Sequence, residues 1–308
     1  MVTIKELAKL SGYSTTMISR VINNYPYVDE EKRREILKLV DELNYRPNSI
    51  ARNLSIGKTY NIGVIVPSLN RPYFEQIVSG IAEEAFHHNY KVTLLPTNYD
   101  RKIELGYLEE LSTKLYDGLI ITSKINSLKK ILDYQQYGPL IFCEYVPNEG
   151  VASVSIDREK AFMDTMAYFF DHNVKKIGMT TGRNERYSDS TKLLLKLARK
   201  NFKTFDQSDV VRNCRTYEDG YRAGKFFYEE NQVEAILTNG DEVSAGIYDF
   251  YRGKKLPLIV GQDNLLASKL LNLSTIDYHL TKCGREAFLQ FINNRKDKIM
   301  IESTFIER

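Results

Sequence analysis

The sequence predicts the α/β fold class: an N-terminal all-helical helix-turn-helix headpiece, followed by a two-lobed core of doubly wound parallel sheets. Three observations predict it. Residues 1–47 place apolar side chains at helical spacing between capping residues. Beyond residue 60, short β-branched runs alternate with helical patterns, as in parallel sheets covered by helices on both faces. That alternation forms two series, divided near residues 155–157, so two lobes are expected.

Thr3 and Glu6 have capping-box spacing and open the first helix. Ile4, Leu7, Ala8 and Leu10 give it one apolar face. Ser11-Gly12-Tyr13 breaks it, because glycine readily takes the left-handed backbone of a tight turn. Ser14 caps a second helix whose apolar side is Met17, Ile18, Val21 and Ile22. Thr15, Thr16, Ser19 and Arg20 are left facing out. Two short helices at a sharp turn, with small polar residues and an arginine outward on the second, make a helix-turn-helix suited to a DNA groove. Asp29 caps a third helix over residues 30–44, with Ile36, Leu37, Val40 and Leu43 inward. Arg46 precedes Pro47 and so avoids the helical region, which ends it. Residues 49–55 form a short helical stretch and residues 56–59 a linker. The domains expected are 1–47, a hinge and linker over 48–60, and a core over 61–308.

In the core, strands are predicted over 61–67, 91–96, 118–122 and 140–143, with helices over 73–88, 103–115 and 128–137. The second series has helices over 160–172, 190–200, 217–230 and 242–251 and strands over 176–181, 235–238 and 256–261. Residues 282–308 read as a helix and a last strand. Ligands of such sheets bind at the carboxyl ends of strands, which in a two-lobed protein face an interlobe cleft.

Composition narrows the function. The net charge is +3, and residues 1–60, with ten Lys/Arg against seven Asp/Glu, hold all of it. A basic excess confined to the headpiece fits a DNA-binding module. Cys143, Cys214 and Cys283 are odd in number and far apart, which fits a reducing cytoplasm. No apolar stretch approaches the roughly 18 to 20 residues that span a bilayer, and the N-terminus has no signal core, so no membrane partner is expected. The four histidines have no metal spacing, and neither a phosphate-cradling glycine loop nor a nucleophile elbow occurs. No metal, no cofactor and no catalytic residue are therefore expected, and the enzyme reading has little support.

The run Val2-Thr3-Ile4-Lys5-Glu6-Leu7-Ala8, residues 14–23, Asn44-Tyr45-Arg46-Pro47-Asn48, Ala51-Arg52, Leu54 and Gly57-Lys58-Thr59 closely resembles the headpiece of lactose-repressor (LacI/GalR) family regulators. Asp117-Gly118-Leu119-Ile120-Ile121, residues 241–246, Val260-Gly261-Gln262-Asp263-Asn264 and the ending from Ser303 to Arg308 extend the resemblance over nearly the whole chain. The resemblance implies a periplasmic-binding-protein-like core whose chain crosses between lobes three times, recrossing near residues 277–290. It implies a homodimeric repressor of carbohydrate-utilisation genes that binds a pseudo-palindromic operator. A mono-, di- or oligosaccharide in the cleft would switch it. Without a heptad tail after the last strand, zipper tetramers are not expected. The alternatives are a global carbon-catabolite regulator answering to a phosphoprotein, and a transport-type sugar-binding protein, against which the headpiece argues.

Residue by residue, Thr15, Thr16 and Arg20 match the family's base-reading positions, while Ser14, Ser19 and Asn23 suit phosphates. Tyr45 is expected at the same face. Leu54 matches a minor-groove wedge, with Ala51 small enough for close approach and Arg52 beside the phosphates. The plain alternative for Leu54 is packing between two hinge helices. For the effector, Tyr73 and Phe74 offer an aromatic face, and Glu144 and Asp263 match acidic positions that accept hydroxyls. Core packing is the alternative for Tyr73 and Phe74, and a helix N-cap for Asp263. Two departures stand out. Ser190 occupies a position where many members have arginine; Arg183 or Arg186 can substitute, with Arg186 preferred. Gly240-Asp241 stands where many have Asn-Asp, so Asn239 and Asp241 are both expected at the pocket.

Overall fold

Capping chemistry sets the headpiece helices. The computed structural model of the chain describes residues 2–46, 53 and 57–308, in two units, Met1–Thr59 and Tyr60–Arg308. Helix α1 (Ile4–Ser11) starts at Thr3, whose Oγ1 accepts from the Glu6 amide at 3.3 Å while Glu6 Oε2 accepts from the Thr3 amide at 2.7 Å. It ends at Gly12, φ +71°. Helix α2 (Thr15–Ile22) starts at Ser14, whose Oγ accepts from the Met17 amide at 3.2 Å. Helix α3 (Glu30–Glu42) starts at Asp29, whose carboxylate accepts from the Lys32 amide at 3.1 Å. Leu7, Ile18, Val21, Val28, Ile36 and Tyr45 form the buried core of this unit. Two apolar expectations differ: Leu10 is 63% and Leu37 40% exposed. On α3 it is Leu39 that packs with Ile36, Val40 and Leu43. Positions three, four and seven apart share a helix face, whereas adjacent positions lie about 100° apart.

The second unit begins β1 (Asn61–Val66), α4 (Pro72–His87), β2 (Lys91–Pro96), α5 (Arg101–Ser112), β3 (Gly118–Ile121), α6 (Leu128–Leu132), β4 (Leu140–Phe142) and β5 (Ala152–Asp157). It continues α7 (Glu159–Asp171), β6 (Ile177–Thr181), α8 (Asp189–Asn201), β7 (Val210–Arg212), α9 (Tyr217–Phe226), β8 (Ala235–Leu237) and α10 (Asp241–Phe250). Last come β9 (Leu258–Gln262), α11 (Leu266–Leu270), β10 (Ser274–Asp277), α12 (Leu280–Ile292), β11 (Lys298–Glu302) and β12 (Thr304–Ile306). A π turn over Phe227–Asn231 continues α9.

Two six-stranded sheets result, in the orders β11-β5-β4-β3-β1-β2 and β12-β10-β9-β8-β6-β7. Every pair is parallel except β10 with β12. β1 and β3 are apolar almost throughout and buried on both faces, Val64 lying between Leu94 and Ile120. The chain passes from the first lobe to the second at Arg158, since β5 pairs in the first sheet and α7 packs on α8 and β12. It returns through Tyr278 and His279, because α12 packs on α4 and β5. It crosses again at Ser303, between β11 and β12, and the Ser303 hydroxyl donates to the Asp157 carbonyl at the first crossing.

Strands β5, β7 and β10 are not in the sequence reading, which also has one C-terminal strand where β11 and β12 stand. β5 reads Ala-Ser-Val-Ser-Ile-Asp and β10 Ser-Thr-Ile-Asp, too polar to announce buried strands, yet Ser153, Ser274 and Thr275 are buried. α4 and α12 touch backbone to backbone: a β-carbon on Gly80 would collide with the Thr281 carbonyl, and one on Gly284 with the Ile77 carbonyl. Leu280, Cys283, Ala287 and Phe288 fill the space below. No helix among the described residues is long and apolar enough to cross a membrane.

Candidate functional site

Two separate surfaces carry the expected chemistry. In the headpiece, the Ser14 cap starts α2 so that Ile18 and Val21 turn into the core. Thr15, Thr16 and Arg20 are then exposed, as are Ser14 and Asn23, with Ser19 partly so. Arg20 makes no ion pair among the described residues, so its fork is free. Asn23 Nδ2 donates to the Ser19 carbonyl at 2.8 Å and to Ser19 Oγ at 3.3 Å, tying these two polar groups together. Arg33 donates to Asn24 Oδ1 and the Tyr25 carbonyl, which fixes the loop after α2. Tyr45 differs from expectation. It is 9% exposed and packs in the headpiece core, because its amide bonds back to the Val40 carbonyl at 2.9 Å and folds it onto α3. Ala51, Arg52 and Leu54 lie outside the described residues.

The second surface is a cavity of about 790 Å³ between the lobes, at the carboxyl ends of the strands. Tyr73, Phe74, Glu144, Arg186, Asn239 and Asp263 all line it. Tyr73 and Phe74 sit in the first turn of α4, their rings edge to face at 5.1 Å. The Tyr73 hydroxyl accepts from Arg158 Nη2 at 2.8 Å. The Arg158 guanidinium also lies 4.1 Å from the centre of the Tyr278 ring. Tyr278 donates to Gln262 Oε1 at 2.6 Å, and Gln262 Nε2 donates to the Thr238 carbonyl at 2.7 Å. Sequence reasoning missed Arg158 and Tyr278, and both sit directly after strands it also missed.

Asp263 follows β9 with φ +93° and is 7% exposed. Its amide donates to the Ile276 carbonyl at 2.8 Å, and its own carbonyl accepts from Gln76 Nε2 at 3.1 Å. These backbone bonds aim the side chain into the cleft, where its carboxyl has no hydrogen-bond partner among the described residues. Burial, with the neighbouring Asp241 charge behind it, pushes this carboxyl up to about 8, against the pull of Arg158. The N-cap alternative does not hold: the N-cap residue of α11 is Leu265, and that helix start has no side-chain cap bond.

Other expected residues are arranged differently. Glu144 accepts from Lys124 Nζ at 2.8 Å, so its charge is matched. Asn239 lines the cleft, but its amide is used within the second lobe: Nδ2 donates to the Cys214 carbonyl at 2.9 Å and Oδ1 accepts from Thr180 at 2.7 Å. Asp241 does not line the cleft. It is fully buried, its oxygens accepting from the Leu265 amide at 2.6 Å and Thr275 Oγ1 at 2.7 Å. It holds the loop that carries Asp263, and burial raises its pKa. Arg186 is exposed at the rim, whereas Arg183 reaches across to Ser123 Oγ at 3.2 Å and lies 4.5 Å from the centre of the Tyr99 ring. The inward arginine is thus Arg183.

The family described as periplasmic binding proteins and sugar binding domain of LacI family matches residues 59–308. That described as bacterial regulatory proteins, lacI family, matches residues 3–48. The catabolite control protein B of Bacillus subtilis (strain 168) is 38% identical over 307 residues, 99% of each chain. The NTD biosynthesis operon regulator NtdR of the same organism is 34% identical, covering 96% of this chain and 93% of its own. Among solved structures, the lac repressor dimer bound to operator and the anti-inducer ONPF superposes with a TM-score of 0.79 at 20% identity, covering 100% of this chain and 98% of the other.

Proposed function

The chain belongs to the LacI family of bacterial regulatory proteins, and on that premise we propose that it is a sequence-specific repressor of carbohydrate-utilisation genes. Its hold on operator DNA is switched by a small carbohydrate in the interlobe cleft. Two copies read a pseudo-palindromic operator in the cytoplasm. Arg20 donates two bonds to a guanine, and Thr15 and Thr16 offer hydroxyl and methyl contacts. Ser14, Ser19 and Asn23 hold phosphates. Leu54 wedges the minor groove at the operator centre, flanked by Ala51 and Arg52. In the cleft, the Tyr73–Phe74 face stacks on a sugar ring and the Asp263 carboxyl bonds its hydroxyls. Ligand that closes the lobes shifts the hinge, a coupling of about 1–3 kcal/mol.

One observation carries this reading. A single chain joins an exposed Thr15-Thr16-Arg20 face to a cavity of about 790 Å³ whose walls combine aromatic rings with an unengaged buried carboxyl. The test selects DNA from a random pool with the full chain, then measures affinity for the selected site with and without a panel of saccharides. A palindromic site whose affinity moves about fivefold or more with at least one saccharide is expected. No selected site, or one that no saccharide moves, overturns the proposal. The similarity to a catabolite control protein favours a second reading, a global regulator answering to a phosphoprotein. Many genomic binding sites and release only with that partner would favour it; one local operator would not.

A further inference from the structure

Three arginines crowd one end of the cleft. Arg71 comes from the loop between β1 and α4, Arg183 from the loop after β6 and Arg215 from the loop after β7. They converge from both lobes on the β1–β2 and β6–β7 side, away from the edge where β11 and β12 carry the last crossing. None of the three makes an ion pair among the described residues, although Arg212 close by pairs with Glu185 at 3.8 Å. Their fixed contacts are neutral. Arg183 is held by Ser123 and the Tyr99 ring. Arg215 donates through Nε to the Gly182 carbonyl at 2.9 Å.

The surroundings are built to keep these charges in place. Tyr99 takes φ +58° directly after Asn98 at +49°, an uncommon backbone for an aromatic residue, and this sets its ring against Arg183. Asp219, whose charge reaches Arg71, is already engaged: it accepts from the Arg215 amide at 2.7 Å and the Thr216 amide at 3.1 Å, and pairs with Arg222. Burial weighs most on Arg71 and lowers its hold on its proton; Tyr99 and Asp219 work against that, while Arg215 and Arg183 add to it by repulsion. Three half-buried cations in mutual repulsion are costly unless an anion joins them.

Resting on the reading of this cleft as the effector site, we propose that Arg71, Arg183 and Arg215 form a phosphoryl subsite, so that the effector is a phosphorylated sugar. Guanidinium forks match phosphate oxygens two bonds at a time. Among the described residues, Arg215 has both Nη groups free, and Arg71 has its whole fork. These donors exceed what the two oxygens of a carboxylate accept and suit a phosphoryl dianion with three terminal oxygens. The sugar ring then lies further in, between the Tyr73–Phe74 face and Asp263.

The test is a thermal-unfolding titration of the full chain with matched probes: glucose, glucose 6-phosphate, glucuronate and inorganic phosphate. The same probes are then added to the operator complex. Glucose 6-phosphate is expected to bind at least tenfold more tightly than glucose, with inorganic phosphate alone giving a measurable upward shift in Tm. Arg71→Gln and Arg183→Gln should each remove most of that preference while keeping operator affinity. Arg183→Lys, which keeps the charge, should restore part of it and shows that loss of folding is not the cause. Equal binding of glucose and glucose 6-phosphate overturns the phosphoryl subsite and leaves the carbohydrate reading standing. A preference for glucuronate also overturns it, as does a phosphate preference that survives both glutamine variants. If no probe shifts Tm or operator affinity, the effector reading of the cleft falls with it.

Discussion

Asp263 couples the cleft to pH. Its carboxyl titrates near 8 in the folded core, whereas the unfolded chain releases that proton near pH 4. Between those values the folded form binds a proton that the unfolded form has lost, so the core loses stability as pH rises through that window and levels off above it. Asp263→Asn removes the slope: its Tm should fall less than the parent's between pH 5 and 8. Parallel falls in the two chains would refute this. Ligand response should disappear in the same variant while operator affinity stays. On the headpiece, Arg20 stands exposed beside two threonines, with no ion pair among the described residues. Arg20→Ala should weaken the selected operator by about 1–3 kcal/mol at fixed salt. Non-specific DNA should change far less, and equal losses on both would reduce Arg20 to a phosphate contact.

At the scale of elements, α4 and α12 meet through Gly80 and Gly284, each too close to a backbone carbonyl for a β-carbon. Gly284→Ala must push the helices apart, and should destabilise the core by about 1–3 kcal/mol in denaturant unfolding. An unchanged midpoint would mean the helices part freely. What the sequence disclosed follows the strength of local pattern. β1 and β3 are continuous apolar runs and the headpiece helices carry their own caps, so both were legible. β5 and β10 were not, because buried strand positions there are small hydroxyl residues. Arg158 and Tyr278 were lost with those strands, although they shape the floor around Asp263. Asp241 shows the opposite error. A carboxylate next to the pocket in sequence turned inward, because the Leu265 amide and the Thr275 hydroxyl needed an acceptor. Charge crowding among Arg71, Arg183 and Arg215 is a property of three distant loops and leaves no mark in any local window.

The whole molecule divides into a headpiece with its own core and a larger unit whose two sheets share one cleft. A fragment that begins at Tyr60 should therefore unfold at the parent's Tm and keep its ligand shift. A fragment that melts early would show that the two units stabilise one another. Strand β11, from residues 298–302, completes the first sheet beside β5 at residues 152–157, while β12 borders β10 in the second. This threading dictates a schedule during synthesis. The headpiece leaves the ribosome able to fold from its first 46 residues, since its buried contacts are all local. The lobe that follows keeps an open edge on β5 until residues 298–302 have been translated. A nascent chain thus carries a folded DNA reader well before it carries a finished sensor. Messages cut short in the second half would yield headpieces beyond the reach of any effector, and the open β5 edge marks such products for aggregation or proteolysis.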